Sequence, residues 1–311
     1  MEFSDTLQHR AHDQSTDWNA LTVRTDRWQH GRWRLPIDAP DFRETGPMAW
    51  PTIVFPREAV SITQADREPL VADANTIVVY NAHTEYTREA ISPRGDRCEW
   101  YCVRPDDALA IARDMGIDSD DPASLFSFSH TGCATHLYRD QRQLADALAA
   151  AIDAGQDLDP MEIDEAILGV FQRALEPAQT ATQRRAATTR APTRETHRRL
   201  AEDARYVLAA RFAERLTLDD LADELECSPF HLARVFRHWT GRTVHRYLTQ
   251  LRLAAAMDLM EGGMPLAQVA LRTGFCRHSH FTKAFHDHMG VTPSAWRRRD
   301  DLGARRGYAG A

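Results

Sequence analysis

The chain has 311 residues, of which 43% are hydrophobic and 27% are charged, and its mean hydropathy is −0.50. This composition is typical of a globular protein with room for two domains, and no apolar run approaches the ~18 residues that a membrane helix needs. The first residues resemble no export signal and five cysteines are too few for a disulfide framework, so we expect a cytoplasmic protein with reduced thiols.

The net charge of −7 conceals a separation of charge along the chain. Residues 191–311 carry 19 basic and 14 acidic side chains, whereas residues 1–190 carry 19 basic and 31 acidic ones. Residues 228–299 are the most cationic part, with 11 basic and 3 acidic side chains and seven of the 14 histidines. An arginine-rich composition explains why Lys283 is the only lysine, but not this separation, which is typical of a phosphate-binding surface.

The N-terminal half is predicted to contain a β domain. Residues 1–45 are polar and lack an apolar period, which indicates a partly ordered arm. Between residues 51 and 104, short β-branched or aromatic runs alternate with turn residues, which predicts a compact antiparallel sheet. A helix is then expected to begin at Asp106 and Asp107 and to end at Gly116.

Two amphipathic helices are predicted to follow the sheet. The first carries Leu144, Leu148 and Ile152, and the second begins at Pro160. The second is expected to bury four apolar side chains, namely Ile163, Ile167, Phe171 and Leu175. This helical hairpin either covers the open face of the sheet or forms a dimer interface. We expect a sensor domain over residues 46–176, a linker over 177–194, a second domain over 195–300 and a tail over 301–311.

The second domain contains an internal repeat. Leu218, Leu221 and Ala222 match Leu266, Val269 and Ala270 with an offset of 48 residues. After a slip of one residue, five further pairs match with an offset of 49: Leu232 with Phe281, Phe236 with Phe285, Gly241 with Gly290, Thr243 with Thr292, and Tyr247 with Trp296. Two copies of one short motif are therefore present.

Each copy has the pattern of a helix-turn-helix. In the first copy, Ser228 is an N-cap, Pro229 occupies the first helical position and Gly241 ends the second helix. Small residues at Ala222 and Ala270 permit the close helix crossing that this motif requires. The side chains expected to pack the second helices onto the first ones are Leu232, Phe236, Phe281 and Phe285. Residues 244–261 form a continuous helical connector about 27 Å long. With its flanking turns, it can hold two reading helices about 34 Å apart, one turn of B-DNA.

Residues 200–300 resemble the DNA-binding domain of AraC/XylS-type bacterial transcription regulators. The likeness is carried by the segment SPFHLARVFR, by Gly274-Phe275, by FTKAF, and by Gly290 to Pro293 followed by Trp296. The resemblance implies a regulator that binds double-stranded promoter DNA and responds to a small-molecule effector. It also implies an α+β chain with an N-terminal cupin-like domain that dimerises, a C-terminal all-α domain, and RNA polymerase as a further partner.

The resemblance also implies which side chains meet DNA. The base-reading positions are Phe230, Ala233, Arg234, His278, Ser279, Thr282 and Lys283. Arg234 and Lys283 are best suited to guanine, and Phe230 to a thymine methyl group. The arginines expected to contact phosphates, and so to set register without specificity, are Arg237, Arg242, Arg246, Arg272 and Arg277.

Two positions depart from the family pattern. Arg277 stands where an Asp or Ser usually caps the second reading helix, and this should cost about 0.5 to 1 kcal/mol in the free protein. A DNA phosphate nearby would reverse that effect, so we expect this helix end to become ordered on DNA. Ala233 replaces a longer polar side chain, which predicts weaker discrimination by the first motif.

Residues suited to chemistry are sparse. Cys98 and Cys102 lie about 13 Å apart on an extended strand, too far to share one zinc ion unless a bulge folds the chain back. We therefore expect buried structural cysteines, and the alternative is a redox or metal sensor that also uses Cys133 and His136. His83 and Glu85 are too few to form a metal site. We therefore expect no catalytic residues, no metal and no cofactor, and hence no enzyme. The alternative is a metal-dependent cupin-type enzyme fused to a DNA-binding module. A repair-type regulator with a zinc-bound cysteine is disfavoured, since no cluster of four cysteines precedes the linker.

Overall fold

The strands expected between residues 51 and 104 are present in a computed structural model of the chain, which describes residues 21–65, 67–155, 159–185 and 191–298. The chain divides into two units. Unit 1 contains the described residues up to Cys133 together with Leu137–Arg185, and unit 2 contains Ala134–His136 and the described residues from 191 onward. The fold is therefore mixed, with a β-rich N-terminal unit and a helical C-terminal unit.

Unit 1 is built from two antiparallel sheets. The first has the strand order β1-β2-β9-β4-β7-β10 and the second has the order β3-β8-β5-β6. The strands are β1 (Leu21–Arg24), β2 (Trp28–Leu35), β3 (Glu44–Thr45), β4 (Thr52–Pro56), β5 (Val60–Gln64), β6 (Leu70–Ala72), β7 (Thr76–Tyr80), β8 (Tyr86–Ala90), β9 (Asp96–Val103) and β10 (His130–Gly132). Side chains from both sheets form one core, including Leu35 and Val78 from the first sheet and Val60 and Ile62 from the second.

Three helices complete unit 1, namely α1 (Pro105–Asp114), α2 (Thr135–Asp153) and α3 (Pro160–Arg185). Helix α1 carries Asp106 and Asp107 in its first turn, and Gly116 follows it with a φ of 75°. The four apolar side chains predicted on α3 are all buried. The Thr131 hydroxyl of β10 donates to the Ala174 carbonyl of α3 at 2.8 Å, and the Tyr101 hydroxyl of β9 donates to the Gln141 carbonyl of α2 at 3.0 Å. Both helices therefore pack on the six-stranded sheet.

The prediction of a polar arm over residues 1–45 is wrong for the part that the structure describes. Residues 21–35 contribute β1 and β2 to the first sheet, and Trp28 is completely buried. The polar appearance of β2 is misleading because His30 is also buried and Arg32 forms an ion pair with Glu99 of β9. Residues 1–20, and the predicted tail over 301–311, lie outside the described residues.

The segment 177–194 is largely helical rather than an irregular linker. Helix α3 continues to Arg185 and α4 begins at Ala191, while residues 186–190 lie outside the described range. The lack of large apolar residues indicates little packing, but Ala, Gln and Arg are good helix formers, so composition alone does not exclude a helix.

Unit 2 is all-helical within its described residues. Its helices are α4 (Ala191–Arg211), α5 (Leu218–Glu224), α6 (Pro229–Thr240), α7 (Val244–Glu261), α8 (Leu266–Arg272) and α9 (His278–Met289). The pairs α5–α6 and α8–α9 coincide with the two copies of the sequence repeat, and α7 coincides with the predicted connector. In the described part of the chain, none of the helices has the length and apolar character needed to cross a bilayer.

Candidate nucleic-acid interface

The first motif is shaped by local capping interactions. Thr217 and Asp220 form a capping box at the start of α5, with the Asp220 amide donating to the Thr217 hydroxyl at 3.1 Å. The Ser228 hydroxyl accepts the His231 amide at 3.2 Å, so α6 also begins at a capped end. At the other end of α6, Gly241 has a φ of 71°, a conformation that favours glycine. These contacts fix the angle at which α6 leaves the turn.

The two motifs share the same internal packing of their second helices. Leu232 and Phe236 of α6, and Phe281 and Phe285 of α9, are completely buried. Each second helix also packs an aromatic ring against a ring that follows it in the chain. Phe236 lies edge-on to Tyr247 at 5.2 Å, and Phe285 lies edge-on to Trp296 at 6.0 Å. Because these two pairs stand at equivalent positions of the repeat, the internal packing of the two copies is alike.

Arg252 of α7 joins the segment between α4 and α5 to the turn of the second motif. Its guanidinium donates to the Phe212 carbonyl and to the Glu214 carbonyl, both at 2.8 Å, and lies 5.9 Å from the centre of the Phe275 ring. Burial lowers the pKa of Arg252. Gly274 is also required at this junction, because a Cβ there would lie 2.7 Å from the Ala213 carbonyl oxygen. The segment that precedes the first motif and the turn of the second motif are therefore held against one another.

Most of the predicted base-reading side chains are exposed in the first two turns of α6 and α9. Phe230 is 80% exposed, and Arg234, His278, Ser279 and Lys283 are also exposed. Two positions differ from this pattern: Ala233 and Thr282 are half-buried. The Thr282 hydroxyl oxygen is buried without a hydrogen-bond partner, so the methyl-bearing side of this residue, rather than its hydroxyl, is the accessible one.

The two long cations on the reading faces have different partners. Arg234 Nη2 donates to His231 Nδ1 at 3.2 Å within α6, whereas Lys283 Nζ forms an ion pair with Asp287 Oδ2 at 2.9 Å within α9. The carboxylate of Asp287 has a pKa below its usual range, chiefly because Lys283 hydrogen-bonds to it. Sequence reasoning missed His231, although its position three residues before Arg234 on one helix face is a readable signal.

Four of the five arginines predicted to contact phosphates are exposed: Arg237, Arg246, Arg272 and Arg277. The fifth, Arg242, is half-buried, and its guanidinium donates to the side-chain oxygen of Gln250 on α7. Since that bond would compete with a phosphate, Arg242 fits the predicted role less well than the other four.

Arg277 is the N-cap residue of α9, as the sequence alignment of the two copies predicts. It makes no side-chain capping hydrogen bond, and α9 has no acidic residue in its first turn. Helix α8 likewise begins without a side-chain cap, at Pro265. The second motif therefore lacks, at both of its helix starts, the side-chain caps that the first motif has.

The cysteines of unit 1 are buried among protein groups. Cys98 and Cys102 lie on β9, Cys133 follows β10, and burial raises the pKa of Cys98 above its usual range and that of Cys102 to about 12. His83 is exposed, with a φ of 63°. Among the residues that the structure describes, no group of three or more His, Cys, Asp or Glu side chains is arranged to hold a metal ion.

Comparison with known proteins places the similarity in unit 2. Residues 221–299 match the profile of a family described as "Helix-turn-helix domain". The HTH-type transcriptional activator RhaR from Enterobacter sp. (strain 638) is 34% identical over 93 residues, which cover 30% of this chain and 33% of RhaR. RhaR from Escherichia coli (strain K12) is also 34% identical, over 91 residues that cover 32% of its length. The chain thus covers about a third of these curated relatives.

Among solved structures, the C-terminal domain of AraT, a response regulator from Geobacillus stearothermophilus, is 30% identical, with a TM-score of 0.32, and the match covers 32% of this chain and 84% of that one. ToxT from Vibrio cholerae is 11% identical with a TM-score of 0.33, over 88% of this chain and 98% of that one. Residues 221–299 therefore match a helix-turn-helix family, and the chain is similar over 93 residues to a transcriptional activator.

Proposed function

We propose that this protein is a sequence-specific DNA-binding regulator of transcription. The observation that carries the proposal is the duplicated helix-turn-helix of unit 2, whose two second helices expose polar, cationic and aromatic side chains on a strongly basic segment. A helix-turn-helix reads bases with early residues of its second helix lying in the major groove. The RhaR relatives, which are transcriptional activators by name, support the same function.

In this proposal α6 and α9 enter two successive major-groove segments on one side of the duplex. The 18 residues of α7 span about 27 Å, which suits a separation of one helical turn once the flanking turns are added. Arg234 and Lys283 read guanine, Phe230 contacts a thymine methyl group, and the exposed arginines neutralise phosphates. His278, Ser279 and Thr282 complete the reading face of α9.

Unit 1 is proposed to be the signal-binding and dimerising part of the regulator, with a cupin-like arrangement of its two sheets. Support comes from the shared core of the sheets and from α2 and α3, which cover the six-stranded sheet. In this view the protein acts as a cytoplasmic homodimer that responds to a small-molecule effector and contacts RNA polymerase at the promoter. No observation on the described residues favours the fused cupin-type enzyme as a second candidate.

Selection of duplexes from a random oligonucleotide pool by the full chain tests the proposal. Enrichment of a common motif with two parts about one helical turn apart is the expected result. Recovery of random sequence by a folded protein would overturn it. The same experiment on the fragment from Thr196 to Arg299 asks whether unit 2 alone carries the preference.

Substitutions on the selected site separate base readers from phosphate contacts. Arg234→Ala or Lys283→Ala should lose about 1 to 3 kcal/mol of binding free energy on the selected duplex, with little change on random DNA. Arg246→Ala should weaken binding to both and lower the salt slope of log K by about 0.9. Fluorescence anisotropy over a range of salt concentrations measures both quantities. Equal losses on the two duplexes for all three variants would contradict the assignment.

A further inference from the structure

The two reading helices hold their long cations by different chemistry. The repeat places Arg234 of α6 at the position of Lys283 of α9, and His231 at the position of His280. In α6 the histidine accepts a hydrogen bond from Arg234 at 3.2 Å. In α9 the corresponding His280 lies instead against the Phe275 ring, with centroids 5.7 Å apart, and Lys283 pairs with Asp287. The first motif thus uses an imidazole where the second uses a carboxylate.

The chemistry of this contact fixes the protonation state of His231. A guanidinium group has only donors, so Nδ1 of His231 must be the acceptor and the ring must be neutral, with its proton on Nε2. Protonation of Nδ1 would remove the acceptor and place a second positive charge beside Arg234. The hydrogen bond that orients Arg234 exists only while His231 is neutral.

Other imidazole and cationic groups lie close to this contact. The ring of His197 on α4 lies against His231 with ring centroids 5.3 Å apart, and Arg234 and His238 of α6 act on the same His197 imidazole. The pKa of His197 is lowered by burial and by His231, Arg234 and His238. Glu195, on the same helix, hydrogen-bonds with Arg198 and Arg199.

We propose that His231 is a positioning residue for Arg234, so that base reading by α6 weakens as His231 becomes protonated, while base reading by α9 does not depend on His280. This inference rests on the proposed function, because it assigns a regulating group to one of the two reading faces. In this proposal His231 contacts no base itself, and protonation of His231 affects the first motif but not the second.

The expected pH dependence has opposite signs on specific and random DNA. Each histidine that gains a proton on the DNA-facing side strengthens the attraction to phosphates. Acidification should therefore tighten binding to random duplex while reducing discrimination at the base pair that Arg234 reads. A purely structural role for His231 would not produce this divergence.

The experiment uses the full chain and the duplex enriched by random selection. The base pair read by Arg234 is first identified as the position where Arg234→Ala abolishes the preference. Discrimination at that pair is then measured by fluorescence anisotropy at constant salt, over a pH series from about 8 down to about 5.5. The proteins compared are wild type, His231→Ala, His231→Gln and the matched control His280→Ala.

His231→Ala should lose at least about fivefold of the discrimination at this base pair, the low end of the value of a bidentate contact. His231→Gln, whose amide oxygen also accepts from Arg234 but does not titrate, should keep discrimination and lose its pH dependence. His280→Ala should match wild type at every pH. Circular dichroism verifies that each variant is folded. If His231→Ala does not fold, the comparison of His231→Gln with wild type still tests the proposal.

Two results would overturn the proposal. One is discrimination by His231→Ala equal to wild type, and the other is the same pH profile for wild type and His231→Gln. Both require a protein that still selects DNA, so they are distinct from the failure of the proposed function, in which no duplex is preferred at any pH.

Discussion

His30 shows at the scale of one residue how burial changes ionisation in unit 1. Its ring is completely buried, stacks on Tyr101 with centroids 4.4 Å apart, and donates through Nδ1 to the Trp100 carbonyl at 3.0 Å. Burial lowers the pKa of His30 to about 4, although Glu99 acts in the opposite direction. The imidazole is therefore neutral in the folded protein at pH values where the unfolded chain would protonate it.

The stability of unit 1 should consequently fall as the pH drops below about 6.5. A lowered histidine pKa means that the unfolded state binds more protons between pH 6.5 and pH 4, so the contribution is full above this window and is lost within it. The shift of His30 predicts a loss of about 2 kcal/mol in the free energy of unfolding between about pH 7 and pH 5. Denaturant titrations followed by circular dichroism measure it.

His30→Phe should flatten this pH dependence while lowering stability at neutral pH, because the Trp100 carbonyl loses its donor. The exposed His83, changed to Asn, is the control and should keep the wild-type slope. The pH dependence that Glu99 contributes does not overlap with that of His30. Burial alone would raise its pKa, but Arg57 and Arg32 lower it to about 2, so its contribution is lost only at more acidic pH. An unchanged slope in His30→Phe would contradict the assignment.

At the scale of the element, the two helix-turn-helix motifs differ in how their helices begin. Helix α6 has the Ser228 cap, whereas α9 begins at Arg277 without one. Arg277→Asp supplies an acceptor and a negative charge at the positive end of the helix. It should slow amide exchange in the first turn of α9 by an amount equivalent to about 1 kcal/mol in the absence of DNA.

The same substitution should weaken DNA binding, because it replaces a proposed phosphate contact with an anion. Arg277→Ala removes the charge without adding a cap and separates the two effects. Ser228→Ala is the reciprocal control, expected to destabilise the start of α6 by about 1 kcal/mol. If Arg277→Asp leaves both exchange and affinity unchanged, this end of α9 neither lacks a cap in solution nor meets a phosphate.

The helices of unit 2 could be predicted from the sequence because their signals are local. The ends of α6 are marked within a few residues by Ser228, Pro229 and Gly241. A similar pattern occurs again in the second copy of the repeat. Strand β2 could not be predicted in this way. The burial of His30 and the pairing of Arg32 depend on β9, about 70 residues away, and no local pattern reports a partner at that distance.

In the candidate site, too, features with a local signal could be predicted and contacts between particular side chains could not. The exposed positions on α6 and α9 follow from helical periodicity, since the buried Leu232 and Phe281 define the opposite face. The contact between His231 and Arg234, the inward hydroxyl of Thr282 and the bond from Arg242 to Gln250 could not be predicted, because they depend on side-chain rotamers. The contacts of Arg252 could not be predicted either, because the carbonyl groups to which it donates lie about 40 residues earlier in the chain.

At the scale of the whole molecule, the proposed function requires that α7 and the Arg252 junction hold the two helix-turn-helix motifs of unit 2 at a fixed separation. An insertion of about five base pairs between the two parts of the selected site would turn the second part to the opposite side of the duplex. Affinity should fall at least about tenfold, since the contacts of one motif are lost. Gel-shift titration of the original and lengthened duplexes measures this, and equal affinities would show that the two motifs move independently.

Lys283 supplies the only side-chain amine in this sequence, and it lies on the outer face of α9 with 76% of its side chain exposed. An acylating reagent aimed at lysine would therefore attach on the proposed reading face of α9 and at no other side chain. Shielding of that single amine, followed by mass spectrometry of the digested protein, would report occupancy of the second groove without any engineered label.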